Sequence, residues 1–226
     1  MIGVAYVKSG ELAAFKALAR SMYFSNEVVE PFCASAAAGQ MRAAAAMIED
    51  EQRVRERRER ERLMRKARFP QVESFEGCDF SQVAFPEGCA PEDLMGLAFV
   101  EAAEDFVFYG KTGRGKTRLA IAAGVACVQR GTAVRFFTAA ELVMALVKAN
   151  RMGTLEQSLK DIEKADVVII DELGYVPLDI EGARLLFQVM NGCYEKRGAI
   201  VTTNIESSKR GAVFGDRKFS RPRKRR

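Results

Sequence analysis

The segment Gly110-Lys111-Thr112-Gly113-Arg114-Gly115-Lys116-Thr117 decides the fold class of this chain. It matches the pattern G-x-x-x-x-G-K-[ST], whose glycines let the backbone approach a phosphate closely and whose N–H groups point inward around it. In such a loop Lys116 is placed to reach the β- and γ-phosphates of a nucleotide, and the hydroxyl of Thr117 to ligate Mg²⁺. We therefore predict that residues 110–117 bind phosphate; the alternative is a Gly- and Lys-rich surface turn.

The residues on either side of this loop favour phosphate binding. Phe106–Tyr109 is an apolar run typical of a buried strand, and Arg118–Gln129 is an apolar stretch typical of a helix. Strand, loop and helix in this order form the context that the motif requires. Lys111 and Arg114 add positive charge within the loop, where a cation either strengthens phosphate attraction or faces solvent; we expect Lys111 to face solvent.

Strands and helices alternate through the rest of this region. Further strands are predicted at Ala133–Phe137, Asp166–Ile170 and Ala199–Thr203. Capping boxes at Thr138 and Thr154 each predict the start of a helix, and another helix is predicted over Ile180–Tyr194. This alternation predicts an α/β fold, the parallel sheet of a P-loop NTPase with helices on both faces.

A pair of acids completes the predicted nucleotide site. Asp171 and Glu172 directly follow the apolar run Val167–Ile170, at the end of a strand where ligands of such sheets bind. Asp171 is predicted to hold Mg²⁺, directly or through water, and Glu172 to orient and polarise the attacking water. A strand that simply ends in solvated acids is the alternative.

Asn204 ends the next predicted strand with a polar amide. In P-loop ATPases of the additional-strand type, such a residue lies on a strand between the phosphate-loop strand and the acidic strand. There it hydrogen-bonds the γ-phosphate or the lytic water. We therefore predict a catalytic role for Asn204, with a turn residue as the alternative.

The N-terminal region is predicted to be helical. Apolar residues at helical spacing form one stripe that ends at Pro31: Leu12, Phe15, Leu18 or Ala19, and Met22. Ala36–Ile48 is Ala-rich, and Glu49–Arg68 is predicted to form a long exposed helix with pairs at i,i+4: Glu49–Arg53, Glu51–Arg55, Glu56–Arg60 and Glu61–Arg65. This helix is either a solvated connector or a surface that contacts nucleic-acid phosphates.

Residues 69–92 link this region to the phosphate-loop strand. The segment contains three prolines and two glycines, with Phe69, Phe75, Phe80 and Phe85 between them. We predict a lead-in loop whose aromatic rings must pack on the domain that follows. A short helix is predicted over Glu92–Ala103.

Composition excludes several kinds of site. The chain has no histidine, and its five cysteines are scattered without a C-x-x-C pair, so neither a histidine-based site nor a zinc or disulfide framework is supported. The net charge of +5 is concentrated in residues 217–226, which carry seven Lys and Arg and no acid. No apolar run approaches the roughly 20 residues that span a bilayer, and no signal peptide is evident. We expect a cytoplasmic protein without a membrane partner.

From about Met47 to Asp216 the chain resembles the IstB-like ATPases, which are helpers of insertion-sequence transposition and relatives of the DnaC helicase loaders in the AAA+ class. The most specific motif is Asp-Glu-Leu-Gly-Tyr-x-Pro-Leu-Asp at residues 171–179. The resemblance also rests on these stretches: Ala67–Pro70, Phe75–Phe80, the phosphate loop, Phe136–Leu142, Gly153–Leu155, Leu186-Phe187, Thr203-Asn204 and Val213–Asp216.

The resemblance implies a function and an organisation. It implies ATP and Mg²⁺ as cofactors, assembly as a homo-oligomer on double-stranded DNA, and delivery of that DNA to a transposase. It also implies that residues 110–117 bind the phosphates, Asp171 holds the metal, Glu172 activates water and Asn204 is the first sensor. Residues 75–80 would lie near the adenine. Residues 1–68 would form a helical region for DNA or partner contacts, residues 69–216 an incomplete AAA+ ATPase domain, and residues 217–226 a basic tail.

The chain departs from the family pattern after Val213–Asp216, where the family supplies an arginine finger and a final strand. We interpret residues 217–226 as out-of-frame or truncated sequence, with a basic DNA-binding arm as the alternative. Weak ATPase activity, poor solubility and an exposed edge at Phe106–Tyr109 are the expected consequences. Alternative functions are a DnaC-like replicative helicase loader, a small-molecule P-loop kinase and an inactive DNA-binding remnant.

Overall fold

The computed structural model describes residues 9–175, 177–193 and 197–204. The chain divides into two compact units, Met1–Glu59 and Arg60–Arg226. The predictions made for the basic tail, for Tyr194 and for Val213–Asp216 lie outside the described residues. Among the helices of the described residues, none is long and apolar enough to cross a membrane.

Helices make up the described part of the first unit. They are Ser9–Ser21 (α1), Asn26–Ser35 (α2) and the first two thirds of Ala38–Ala67 (α3). The buried residues of this unit are Phe15, Ala19, Val29, Met41 and Ile48, and the rings of Phe15 and Phe32 lie 5.3 Å apart. Each helix contributes apolar residues to this small core, and the stripe predicted over Leu12–Met22 is the part that α1 contributes.

The prediction that Pro31 ends the first helical unit is wrong. The break lies instead at Met22–Ser25, where Tyr23 adopts a left-handed backbone with φ of 64°. Pro31 is inside α2, whose ends lie only a few residues away on either side. A proline removes one helical N–H and disfavours the residue before it, but here burial of Val29 and packing of Phe32 favour the helical conformation over that local cost.

The third helix is continuous over 30 residues, so the Ala-rich and Arg-rich stretches form a single helix. Its ion pairs follow the prediction in part. Arg55 donates to Glu51 at 2.7 Å, as predicted, whereas Arg53 pairs with Asp50 rather than with Glu49. The helix ends at Ala67, and Arg68 adopts a left-handed conformation with φ of 59° just before Pro70.

A four-stranded parallel sheet lies at the centre of the second unit. Its strands are Asp105–Tyr109 (β1), Val134–Thr138 (β2), Val167–Leu173 (β3) and Gly198–Thr203 (β4). Their spatial order is β1-β4-β3-β2, so the last of the described strands in sequence is inserted between the phosphate-loop strand and the acidic strand. This is the additional-strand arrangement of a P-loop NTPase, as predicted. Among the described strands, β1 and β2 are the edges, which agrees with the edge expected at Phe106–Tyr109.

Helices cover both faces of the sheet. They are Lys116–Gln129 (α6), Ala139–Arg151 (α7), Leu155–Ile162 (α8) and Ile180–Cys193 (α9). Alternate strand residues point to opposite faces, so Val167 and Ile169 pack with α6, whereas Val168 and Ile170 pack with α7 and α9. Both faces of β3 are therefore buried, which explains its continuous apolar sequence.

The lead-in packs its aromatic rings on the α6 face of the sheet, as predicted. Phe69, Phe75, Phe80 and Phe85 are all half-buried there. The helix predicted over Glu92–Ala103 is divided into Pro91–Gly96 (α4) and Ala98–Glu101 (α5) by Leu97, which has φ of 58°. In a straight helix, roughly 200° of rotation about the axis would separate Leu97 from Phe99, which puts the two side chains on opposite sides. The break at Leu97 allows both to be buried.

The two predicted capping boxes have different outcomes. Thr138 caps α7 as predicted, accepting from the Glu141 N–H at 3.2 Å. The prediction of a capping box at Thr154 is wrong, because the Thr154 side chain makes no capping bond to α8. The Thr154 hydroxyl instead donates to the carbonyl of Ala149 at 3.4 Å, where it satisfies a carbonyl at the end of the preceding helix.

Candidate nucleotide-binding site

The predicted site residues meet at the carboxyl edge of the sheet. The phosphate loop follows β1, the two acids lie in the last part of β3, and Asn204 directly follows β4. Because the three strands are parallel and adjacent, their ends lie side by side. The Gly110 N–H donates to the Thr203 carbonyl at 3.3 Å, which joins the start of the phosphate loop to the end of β4.

The loop has the backbone that its glycines permit. Gly113 and Gly115 have φ of 80° and 79°, values that strain any residue with a Cβ. Residues 111–115 are exposed to solvent. Helix α6 begins at Lys116 with no side-chain cap and no acid in its first turn. Its first N–H groups and the positive end of its dipole therefore favour an anion at this position.

Lys116 lies inside the loop. It is 9% exposed, and its ammonium group donates to the carbonyls of Gly110 at 2.9 Å and Lys111 at 3.0 Å. These bonds hold a positive charge at the centre of the turn. The side chains of Lys111 and Arg114 are exposed instead, as expected for Lys111.

Thr117 and Asp171 are brought together although 54 residues separate them. The Thr117 hydroxyl donates to Asp171 Oδ1 at 2.9 Å, and Asp171 is only 4% exposed. Both are the hard oxygen ligands that Mg²⁺ prefers, and their separation matches the roughly 2.9 Å edge of an octahedron with Mg–O bonds of about 2.05 Å. In the described part of the chain, no group of three or more acidic or thiol side chains forms a protein-only metal site. The pair therefore fits Mg²⁺ held jointly with phosphate oxygens.

Glu172 has an unusual backbone. The predicted strand ended at Ile170, but β3 continues through both acids to Leu173. The register of β3 against β4 shifts between Ile170 and Leu173. Within this irregular segment Glu172 has φ of 60° and an exposed side chain. A left-handed glutamate is strained, and such strain is concentrated at functional sites. Asn204 is also exposed, one residue after β4.

Two threonines of β4 hold this segment, and sequence reasoning missed them. The buried Thr202 hydroxyl donates to Asp171 Oδ1 and accepts from the Glu172 N–H at 3.0 Å. The Thr203 hydroxyl donates to the Leu173 carbonyl at 2.7 Å. The signal was present in the sequence, because two hydroxyl residues directly precede Asn204 at the end of an otherwise apolar strand.

Another missed contact joins the loop after β3 to the phosphate loop. The hydroxyls of Tyr175 and Thr112 lie 3.4 Å apart. Tyr175 also closes a turn, its N–H donating to the Glu172 carbonyl at 3.2 Å. A shallow depression beside Glu172 is lined by Tyr175, Gly174, Leu178, Ala139 and Ala140. The aromatic hydroxyl within the Asp-Glu-Leu-Gly-Tyr motif therefore lies next to the predicted phosphate site.

Arg118 fixes the lead-in to the first turn of α6. Its guanidinium contacts the carboxylate of Glu73 at 3.2 Å and donates to the Glu76 carbonyl at 3.3 Å. The rings of Phe75 and Phe80 lie 6.2 Å apart in the same segment. These contacts place the lead-in beside the start of the phosphate-loop helix. The adenine position suggested for residues 75–80 stays a prediction.

Comparison with known proteins identifies the family. The profile of the family described as IstB-like ATP binding protein matches residues 17–222. A protein of insertion sequence IS21 from Pseudomonas aeruginosa, named for ATP binding, is 38% identical over 169 residues, or 75% of this chain and 64% of the relative. A similarly named protein of IS232 from Bacillus thuringiensis subsp. berliner is 41% identical over 128 residues, or 57% and 51%. The chain spans about half to two thirds of the length of these relatives.

A solved structure supports the fold alone. The crystal structure of DnaI is 18% identical, with a TM-score of 0.50, and the match covers 62% of this chain and 77% of that one. The family match covers nine tenths of the chain and agrees with the motifs, the strand order and the paired site residues described above. The chain therefore belongs to the family of IstB-like ATP-binding proteins.

Proposed function

We propose that this protein is an ATP-dependent DNA-transposition helper, which assembles on double-stranded DNA, delivers it to a transposase and hydrolyses ATP with Mg²⁺. The contact between Thr117 and Asp171 is the observation that carries the nucleotide part of the proposal. It joins the phosphate loop to the acidic strand across the sheet edge, and each supplies one oxygen suited to the metal. The insertion-sequence part rests on family membership.

The phosphate loop would bind the nucleotide by charge and by backbone geometry. The N–H groups of the exposed residues 111–115 and of the start of α6 would donate to phosphate oxygens. The Lys116 ammonium is held 2.9–3.0 Å from two loop carbonyls and would neutralise the phosphate charge. Little reorganisation is needed, because the buried lysine already lies within the turn.

Asp171 and Glu172 would have different roles in hydrolysis. Thr117 and Asp171 would hold Mg²⁺, which when bound neutralises charge on the phosphate oxygens. The exposed carboxylate of Glu172 would orient the attacking water and accept its proton. Asn204 follows the strand between the two motifs and would hydrogen-bond the γ-phosphate or that water. In this proposal the buried acid binds the metal and the exposed acid is the base.

The DNA part of the proposal is supported by the charge on α3. The basic side chains between Arg53 and Arg68 are all exposed to solvent: Arg53, Arg55, Arg57, Arg58, Arg60, Arg62, Arg65, Lys66 and Arg68. A helix with this density of guanidinium groups is suited to phosphate contacts, which give affinity without sequence preference. Target choice would then depend on the partner transposase and on assembly of several copies.

ATP-dependent binding to duplex DNA tests the proposal. We expect ATP to raise the affinity of the purified protein for a labelled duplex at least about tenfold at fixed salt, measured by fluorescence anisotropy. Lys116→Ala should abolish this increase, because no other ammonium group occupies the centre of the loop in the described residues. Lys148→Ala, which removes an exposed lysine on α7, is the matched control and should retain it.

The outcomes separate the alternatives. DNA affinity that ATP leaves unchanged would reject the helper proposal and favour an inactive DNA-binding remnant. Where ATP does strengthen binding, capture of the replicative helicase instead of the transposase by the ATP-bound protein would favour a DnaC-like loader.

A further inference from the structure

The hydroxyl of Thr202 contacts both acids of the site. It donates to Asp171 Oδ1 and accepts from the N–H of Glu172 at 3.0 Å. We propose that Thr202 is a positioning residue, which fixes the metal-binding carboxylate and the backbone of the base at the same time. The inference rests on the proposed function and goes beyond it, because Thr202 belongs to neither motif.

The Thr202 hydroxyl is buried, and its role is to make two hydrogen bonds. The residue is 1% exposed, so solvent does not replace either partner. A hydroxyl has one proton to donate, and Asp171 receives it, while a lone pair receives the N–H of Glu172. All six residues of β4 are buried, and a valine would fill the same volume in this strand. The hydroxyl therefore contributes through these two bonds and not through packing.

For Asp171, Thr202 is the donor that does not need to move. Oδ1 accepts from Thr117 and from Thr202. Oδ1 has two lone pairs, so if Mg²⁺ took the one that accepts from Thr117, the bond from Thr202 could persist on the other. Hydrogen bonds from outside the ligand set orient carboxylates in this way, and their loss typically weakens metal affinity 10–100-fold.

For Glu172, Thr202 supports a backbone conformation that local preference opposes. The φ of 60° is uncommon for a residue with a Cβ and persists where surrounding contacts fix it. Thr202 bonds the N–H at this position, and Thr203 bonds the carbonyl of Leu173 on the following residue. Successive threonines of β4 thus hold the segment from both sides, and Thr202 also reaches Asp171.

The test compares isosteric changes at these neighbouring threonines. The Mg²⁺ concentration that half-saturates binding of a fluorescent ATP analogue is measured for Thr202→Val, Thr202→Ser and Thr203→Val. We expect Thr202→Val to raise it 10–100-fold and Thr202→Ser to stay within about threefold of the unmodified protein. Thr203→Val is the matched control: it also removes a buried hydroxyl of β4 beside the same segment. Because the bond that it loses is to the Leu173 carbonyl, it should raise the half-saturating Mg²⁺ concentration much less than Thr202→Val does.

The outcomes distinguish this inference from the proposed function. If the unmodified protein binds the analogue without any dependence on Mg²⁺, the proposed function and the inference both fail. If it shows that dependence and Thr202→Val behaves like Thr203→Val, only the inference is overturned. Hydrogen exchange in the unmodified protein does not require a folded variant: the Glu172 amide should exchange slowly because Thr202 binds it, and rapid exchange would also overturn the inference.

Discussion

The left-handed backbone of Glu172 predicts that glycine is more stabilising than alanine at this position. A left-handed residue with a Cβ costs about 1–2 kcal/mol relative to the usual helical region, and glycine avoids this cost. Glycine in turn loses about 0.4–1 kcal/mol through the greater freedom of the unfolded chain. Glu172→Gly should therefore exceed Glu172→Ala in unfolding free energy by about 0–1.6 kcal/mol. Each kcal/mol corresponds to about 2–4 °C in melting temperature for a chain of this size.

Equilibrium urea unfolding of the two variants measures this difference directly. Both lack the carboxylate and both keep the N–H that donates to Thr202, so the comparison isolates the backbone. Both should also lose ATP hydrolysis, because the proposed base is absent from each. Glu61 is exposed within α3, and Glu61→Gly and Glu61→Ala are the control pair. The glycine variant should be less stable than the alanine variant by about 1 kcal/mol. A glycine variant less stable than the alanine variant by about 1 kcal/mol at position 172, as at Glu61, would refute the claim that this backbone is strained.

Two further predictions concern stability. Desolvation raises the pKa of the Asp105 carboxyl to about 6, so the folded state binds this proton more tightly than the unfolded chain and the charged form opposes folding above that pH. Asp105→Asn should raise the free energy of unfolding at pH 8 by no more than about 1 kcal/mol, because the residue is exposed. Melting temperatures measured at several pH values should show this advantage shrinking as the pH falls from 6 towards 4. Gly124→Ala would place a Cβ 2.6 Å from the Ile169 side chain and should cost about 1–3 kcal/mol by thermal unfolding, whereas Gly39→Ala meets nothing within 4 Å and should not destabilise.

The site could be predicted from the sequence where its chemistry is carried by consecutive residues. The phosphate loop needs glycines at fixed positions and a lysine beside them, so residues 110–117 identify it without a structure. The acidic strand is recognisable because burial on both faces requires an apolar run before Asp171. Neither motif depends on the rest of the chain for recognition.

Contacts between distant segments could not be predicted in the same way. The sequence marks Thr202 only as a hydroxyl residue near the end of an apolar strand, and its two partners are decided when β4 is inserted beside β3. The errors have the same origin. Pro31 and Thr154 were interpreted by local preference, whereas packing of α2 and the carbonyl of Ala149 decided their conformations. Leu97 breaks a helix because Phe99 must also reach the core.

The sequence by itself determined the order of strands and helices, the phosphate loop and the pair of acids, because each follows from periodicity or from residue types at short spacing. The tertiary structure alone decided which side chains meet at the sheet edge. Parallel pairing in the order β1-β4-β3-β2 brings Thr117, Asp171 and Thr202 within hydrogen-bond distance, although they are far apart in the chain. The same pairing fixes Glu172 in a conformation that its own preference opposes, since the hydrogen bonds of Thr202 and Thr203 with this segment offset the cost of one strained residue.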